Sequence, residues 1–101
     1  AFVKRDGVWL AIGDPVGEER DRISAIWRFR DICERAGVEP AFWQVTPALL
    51  RIYGDIGLTA FPLAPPKAGE PQRYLACRAE KDLEKLMALL PGTEPISAPS
   101  R

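Results

Sequence analysis

Two short runs of apolar and β-prone residues, 1–4 and 8–12, open the chain on either side of a charged turn. The turn contains Asp6 and Gly7, and Asp-Gly between such runs is a strong signal for a β-hairpin. Residues 13–17 (Gly-Asp-Pro-Val-Gly) then break the pattern, because proline lacks an amide hydrogen and glycine allows unusual dihedral angles. We therefore predict two antiparallel strands followed by a loop.

The apolar positions take a helical period from residue 18 to residue 36. Charged residues lie largely outside the apolar stripe, acidic residues near its start suit the helix dipole, and Gly37 suits the position after the last turn. These features predict one long amphipathic helix. The predicted stripe consists of Ile23, Ile26, Trp27, Phe29, Ile32, Cys33 and Ala36.

The second half of the chain continues the alternation of strands and helices. Residues 41–45 are nearly all apolar, which is typical of a strand covered on both faces. Thr46 and Pro47 suit the N-cap and first position of a short helix over residues 48–56, and a strand is predicted over residues 58–63. The resulting order predicts an α/β fold with a mixed sheet, an N-terminal hairpin and flanking helices.

The predicted organisation divides the chain into four parts. Residues 1–63 form an α/β domain segment, and the Pro- and Gly-rich residues 64–72 form a linker. Residues 73–90 form a strand–helix extension, and residues 91–101 form a flexible tail. The chain begins with Ala1, so we expect a partial domain cut from a longer protein.

Composition narrows the function classes. Hydrophobic residues make up 47% of the 101 residues, charged residues 28%, and the formal net charge is zero, which is ordinary for a soluble globular domain and unlike a dedicated nucleic-acid binder. No apolar run approaches the roughly 18 residues that span a bilayer. Cys33 and Cys77 lack a close-spaced motif and are predicted to be buried, reduced thiols.

Self-contained catalysis is not expected. The sequence has no histidine, which excludes a Ser-His-Asp triad, a Cys-His pair and histidine-ligated zinc. It also has no CxxC pair, P-loop or GxGxxG motif. We therefore assign no catalytic residue, metal or cofactor.

Two places could shape a binding site. The first is the loop with Gly13, Asp14 and Gly17, where a strand-to-helix turn exposes helix amides to anionic groups; alternatively, it simply reverses the chain. The second is Gln44, a polar residue among apolar neighbours on a predicted central strand. Its side chain must find hydrogen bonds, either from core backbone or from a ligand.

Three stretches of sequence resemble bacterial phosphatidylglycerol lysyltransferases, the multiple peptide resistance factor family. Residues 9–17 (Trp-Leu-Ala-Ile-Gly-Asp-Pro-Val-Gly), 26–30 (Ile-Trp-Arg-Phe-Arg) and 40–47 (Pro-Ala-Phe-Trp-Gln-Val-Thr-Pro) are similar to the family's pattern in order and spacing. Leu50, Tyr53 and residues 55–58 continue the register. The resemblance covers residues 1–63 and points to the first acetyltransferase-like (GNAT) half of the cytosolic domain.

The resemblance implies an enzyme of lipid modification. Such enzymes transfer a lysyl group from aminoacyl-tRNA to phosphatidylglycerol, which replaces an anionic lipid with a cationic one and confers resistance to cationic antimicrobial peptides. It also implies partners within the intact protein, namely a second GNAT-like half and a domain embedded in the bacterial inner membrane. The family's main catalytic residues are expected in that second half, so the fragment is expected to be inactive alone.

Alternatives remain. After Leu63 the chain departs from the family's pattern, and the acetyl-CoA signature fails because residues 51–56 (Arg-Ile-Tyr-Gly-Asp-Ile) end in isoleucine. A free-standing acyltransferase is therefore disfavoured. A non-catalytic interaction or docking module, using a sheet edge or the arginine-bearing helix, is the principal rival.

Overall fold

The computed structural model describes residues 2–5, 7–13 and 15–88. Asp14 and the predicted tail therefore lie outside the described residues. A short 3-10 turn, Pro47–Leu49, precedes the second helix. The elements, in chain order, are β1 (Phe2–Arg5), β2 (Val8–Ile12), α1 (Glu19–Ala36), β3 (Glu39–Val45), α2 (Leu50–Asp55), β4 (Thr59–Pro62), β5 (Tyr74–Cys77) and α3 (Asp82–Ala88).

The strands form one sheet in the order β1-β2-β3-β5-β4. Strands β2 and β3 are parallel and are joined through α1, whereas the pairs β1–β2, β3–β5 and β4–β5 are antiparallel. A parallel pair needs such a crossover connection, while antiparallel neighbours need only a turn. The predicted α/β class, with its mixed sheet, N-terminal hairpin and flanking helices, is confirmed.

Glycines mark two of the chain reversals that the sequence predicts. Gly7 has φ 85° in the turn of the β1–β2 hairpin, where Arg5 pairs with Val8. Gly37 has φ 73° after α1, its amide donates to the carbonyl of Glu34, and the amide of Val38 donates to the carbonyl of Cys33. This pair of bonds is a Schellman motif, which satisfies carbonyls that the helix leaves open.

The core lies on both faces of the sheet. Helices α1 and α2 cover one face, where Phe42 and Tyr53 are buried with ring centroids 4.7 Å apart. Helix α3 contributes Leu83 and Leu86 to the other face. Strand β3 supplies buried residues to both clusters, as expected for a strand covered on both sides.

The apolar stripe of α1 is narrower than the sequence predicts. Ile26 and Cys33 are fully buried, but Trp27 and Ile32 are each 38% exposed. At 100° per residue, these two lie on opposite flanks of the buried line, beyond the reach of the sheet. The guanidinium of Arg30 lies 5.6 Å from the Trp27 ring centroid, which gives this exposed ring a cation–π contact.

Residues 64–72 connect β4 to β5 as the loop of a hairpin. The amide of Leu63 donates to the Arg73 carbonyl at 2.9 Å, and the Gln72 side-chain amide donates to the Leu63 carbonyl at 2.9 Å. Strand β5 lies between β3 and β4, within the same sheet as the preceding strands. The division into domain segment, linker, extension and tail stays a prediction.

The two cysteines are free and buried, as predicted. Burial, with a contribution from Glu39, raises the pKa of the Cys33 thiol to about 11. Burial, with a contribution from Asp82, raises the pKa of Cys77 to about 12, although a backbone hydrogen bond to Ala79 acts in the opposite direction. Both thiols are therefore protonated at neutral pH and unsuited to nucleophilic attack.

Candidate functional site

The two predicted site segments meet at one edge of the sheet. Strands β2 and β3 are parallel, with Ile12 opposite Trp43, so the residues that follow them lie side by side. The amide of Gly13 donates to the Trp43 carbonyl at 2.6 Å, which ties the loop after β2 to the end of β3. The region outside the carboxyl ends of parallel strands is where open α/β sheets generally bind ligands.

Gln44 does not occupy the buried position that the sequence predicts. It is exposed and has φ 64°, the one positive φ among the non-glycine residues of the described part of the chain. The apolar neighbours that suggested burial lie on a strand whose alternation is broken at this residue. Since left-handed backbone is costly for a residue with a Cβ, Gln44 is a point of local strain next to Gly13.

A β-bulge is the cause of this strain. Phe42 pairs with Ala76 and Val45 pairs with Tyr74, so two residues of β3 oppose one residue of β5. The extra residue shifts the strand's alternation, and Phe42 and Val45 therefore both enter the core on the side of α1 and α2. The bulge buries Val45 completely and leaves Gln44 at the surface.

The loop after β2 has the backbone geometry that its glycines allow. Gly13 has φ 78° and Gly17 has φ 120°, both in the region that favours glycine. Val16 is 91% exposed and so presents an apolar side chain to solvent. Asp14 lies outside the described residues, and its role stays a prediction.

Helix α1 begins directly after this loop. Its first turn carries the acidic residues Glu19 and Asp21, and Glu18 occupies the N-cap position without a side-chain capping bond. The open amides of a helix start attract anions, but the neighbouring carboxylates oppose them. Arg20 and Arg22 alternate with these carboxylates, so the first turn of α1 carries mixed charge and favours neither an anion nor a cation.

Arg73 is the residue at this edge that the sequence interpretation missed. Its guanidinium Nη1 donates to the carbonyl of Gln44 at 3.3 Å, although the two residues are 29 positions apart. This contact depends on the bulge and on the insertion of β5 beside β3. No local sequence signal for either could have identified Arg73.

Two clefts lie elsewhere, at the opposite end of β3. These neighbouring clefts of about 510 and 470 Å³ share Glu39 and Arg78 in their walls. Gln44 lies five positions after Glu39 along β3, which places the clefts about 16 Å from the predicted site. Glu39 and Arg78 form an ion pair at 2.6 Å, so the most prominent charges of the clefts largely neutralise each other.

Within residues 2–5, 7–13 and 15–88, no cluster of His, Cys, Asp and Glu side chains could hold a metal ion. None of the helices in that part of the chain has the length and apolar character needed to cross a membrane.

Comparisons with known proteins agree with the resemblance in the sequence. A family model described as phosphatidylglycerol lysyltransferase, C-terminal, matches residues 1–69. None of the curated proteins matches the chain significantly.

Two solved structures are similar to the chain. One is the C-terminal domain of a putative lysylphosphatidylglycerol synthetase from Agrobacterium fabrum, with 38% sequence identity and a TM-score of 0.58. The other is L-PGS from Bacillus licheniformis, with 26% identity and a TM-score of 0.57. Each comparison covers 60% of this chain and 19% of the solved chain, so the match spans about a fifth of either relative. The family model covers more than half of the sequence, and the chain therefore belongs to the family of phosphatidylglycerol lysyltransferase C-terminal domains.

Proposed function

We propose that the chain is a segment of an aminoacyl-tRNA:phosphatidylglycerol transferase that makes lysyl-phosphatidylglycerol and is inactive without the rest of that enzyme. The family match over residues 1–69 carries this proposal. The two solved relatives, whose titles name lysylphosphatidylglycerol synthetase or L-PGS, support it.

The reaction is an acyl transfer. A glycerol hydroxyl of phosphatidylglycerol attacks the ester carbonyl of lysyl-tRNA, the new ester bond forms, the tRNA ribose oxygen leaves, and the hydroxyl proton passes to a base and then to that oxygen. Such a step needs oriented reactants, a general base and donors for the developing oxyanion. The family resemblance implies that the main catalytic residues belong to the other half of the intact enzyme, and we place the base there.

We assign Gly13, Asp14, Gly17 and Gln44 to substrate binding within this segment. The supporting observation is the bond from the Gly13 amide to the Trp43 carbonyl, which brings the loop beside the bulge at Gln44. The partners in the intact enzyme are aminoacyl-tRNA, phosphatidylglycerol, the second GNAT-like half and a domain in the bacterial inner membrane.

The proposal is tested by lipid aminoacylation. Radiolabelled Lys-tRNA and phosphatidylglycerol vesicles are supplied to the 101-residue chain and, separately, to the intact Agrobacterium fabrum relative. We expect labelled lipid from the relative and none from the chain. Labelled lipid from the chain alone would contradict the assigned dependence on a second half. Absence of product from both, over a panel of aminoacyl-tRNAs, would remove the support for lysyl transfer.

A hybrid enzyme allows the residues of this chain to be tested in an active setting. It consists of the Agrobacterium fabrum relative with its matched region replaced by residues 1–69 of this chain, the extent of the family match. Substitutions at Asp14 and Gln44 are made in the hybrid. Circular dichroism confirms that each variant is folded before its activity is compared.

The rival function is a docking module without a catalytic contribution. Trp27 and Ile32, each 38% exposed on opposite flanks of α1, are the apolar side chains that such a module would present to a partner. Replacing both with serine in the hybrid distinguishes the two functions. If the chain is a docking module, the serine variant should weaken the association of the two halves and lower lipid aminoacylation with it. If the β2–β3 edge binds substrate directly, Asp14→Ala should lower activity while the halves remain associated.

A further inference from the structure

We propose that Arg73 is a positioning residue, which holds Gln44 in its left-handed conformation and so fixes the geometry of the β2–β3 edge. This role of Arg73 rests on the proposed function in one respect: the β2–β3 edge is taken as the substrate site. Gln44 lies within the family match, whereas Arg73 lies beyond its end at residue 69. Arg73 directly precedes β5, in the hairpin formed by β4 and β5.

The first step concerns what Gln44 needs. A residue with a Cβ at φ 64° persists only where its surroundings impose that conformation. On one side, Val45 is fully buried and pairs with Tyr74, which fixes the strand after the bulge. On the other side, the carbonyl of Trp43 accepts the Gly13 amide, which fixes the strand before it.

The second step concerns the Gln44 peptide itself. Its carbonyl oxygen accepts a hydrogen bond from Arg73 Nη1 at 3.3 Å. A cationic donor strengthens a hydrogen bond to a carbonyl, so the Arg73 contact favours the orientation that this peptide has in the bulge. Without the Arg73 donor, only the contacts of Trp43 and Val45 described above hold Gln44 in its strained conformation.

The third step concerns what holds Arg73. Its own carbonyl accepts the Leu63 amide at 2.9 Å and the Gln72 side-chain amide at 2.9 Å. Arg73 also directly precedes Tyr74, the partner of Val45 across the ladder. Arg73 thus contacts the end of β4, the 64–72 loop and the bulge. Through these contacts the β4–β5 hairpin supports the conformation of Gln44.

Amide hydrogen exchange of the 101-residue chain, followed by NMR, tests the proposal. In Arg73→Ala we expect the Val45 and Tyr74 amides to exchange about threefold to tenfold faster, the range that corresponds to one net hydrogen bond. The Leu10 amide, in a buried strand away from the bulge, should be unchanged. Arg73→Lys keeps a donor and should restore most of the protection.

A second variant separates positioning from general stability. Gln44→Gly keeps the carbonyl that accepts the Arg73 bond but removes the strain. In an Arg73→Ala background, glycine at position 44 should therefore keep the left-handed conformation, whereas Gln44 should lose it, as backbone NMR chemical shifts report. Arg51→Ala, at an exposed arginine on α2, is the matched control and should change neither amide. Unchanged exchange in Arg73→Ala, or a left-handed conformation of Gln44 that persists in Arg73→Ala, would overturn the proposal. These readouts require no activity, so they fail or succeed independently of the transferase function.

Discussion

Replacement of Gln44 by glycine is expected to stabilise the protein, because it removes backbone strain at the bulge. A residue with a Cβ in left-handed geometry costs about 1–2 kcal/mol. Glycine gives back roughly 0.4–1 kcal/mol through the greater freedom of the unfolded chain. The side chain of Gln44 is exposed, so little packing is lost. The balance predicts that Gln44→Gly raises the free energy of unfolding by about 0.5–1 kcal/mol, or Tm by about 3–6 °C.

A short series at the same position tests the reasoning by urea denaturation. Stability should fall in the order Gly, Asn, Gln, because asparagine tolerates left-handed backbone better than most residues. Gln44→Ala keeps the strain and should match the parent, while the β-branched Gln44→Val should lose about 1 kcal/mol or more.

The matched control is Thr59→Gly in β4, an exposed residue without a positive φ. It should destabilise the protein by roughly 0.5–1 kcal/mol. If Gln44→Gly were as destabilising as Thr59→Gly, or no more stable than Gln44→Ala, the assignment of strain to Gln44 would be wrong.

Three further predictions concern the helix end, the thiols and the loop. Gly37→Ala should lower the free energy of unfolding by about 1 kcal/mol in urea titrations. The cause is backbone strain alone, because an added Cβ at φ 73° meets no atom within 4 Å. An unchanged urea midpoint would contradict this. Cys33 and Cys77 should resist a thiol reagent at pH 8 until denaturant is added. Their pKa values rise from 9.0 to about 11 and about 12 on folding, so the unfolded chain loses these protons first and stability should fall from pH 9 upward; stability that is flat between pH 9 and 11 would contradict the burial. In the hybrid enzyme, Asp14→Ala should reduce lipid aminoacylation at least tenfold with folding intact, and Asp55→Ala, at an exposed carboxylate, serves as its control; full activity of Asp14→Ala would refute a site role.

The sequence predicted the parts of the fold that depend on local signals. The Asp-Gly turn, the apolar period of α1 and Gly37 after its last turn all act over a few residues, and the structure contains the corresponding hairpin, helix and Schellman motif. The second helix shows the limit of such signals. Pro47 begins a 3-10 turn, and α2 proper begins only at Leu50.

The features that were missed depend on contacts between distant segments. The apolar neighbours of Gln44 predicted a regular strand, because a bulge is determined by the partner strand and not by the residue itself. The exposure of Trp27 follows from how wide a strip of α1 the sheet can cover, which the helical period alone does not give. Arg73 joins the candidate site only once β5 lies between β3 and β4.

The most direct test of the transferase assignment is the rate of lysyl-phosphatidylglycerol formation by the hybrid enzyme, with Lys-tRNA and phosphatidylglycerol vesicles as substrates. The intact Agrobacterium fabrum relative is the reference, and a hybrid with residues 1–69 in scrambled order is the negative control. We predict that the hybrid forms labelled lysyl-lipid within about tenfold of the reference rate, because residues 1–69 contain the β2 and β3 strands and the loop that we assign to substrate binding. A folded hybrid that forms no lysyl-lipid, beside an active reference, would contradict the assignment.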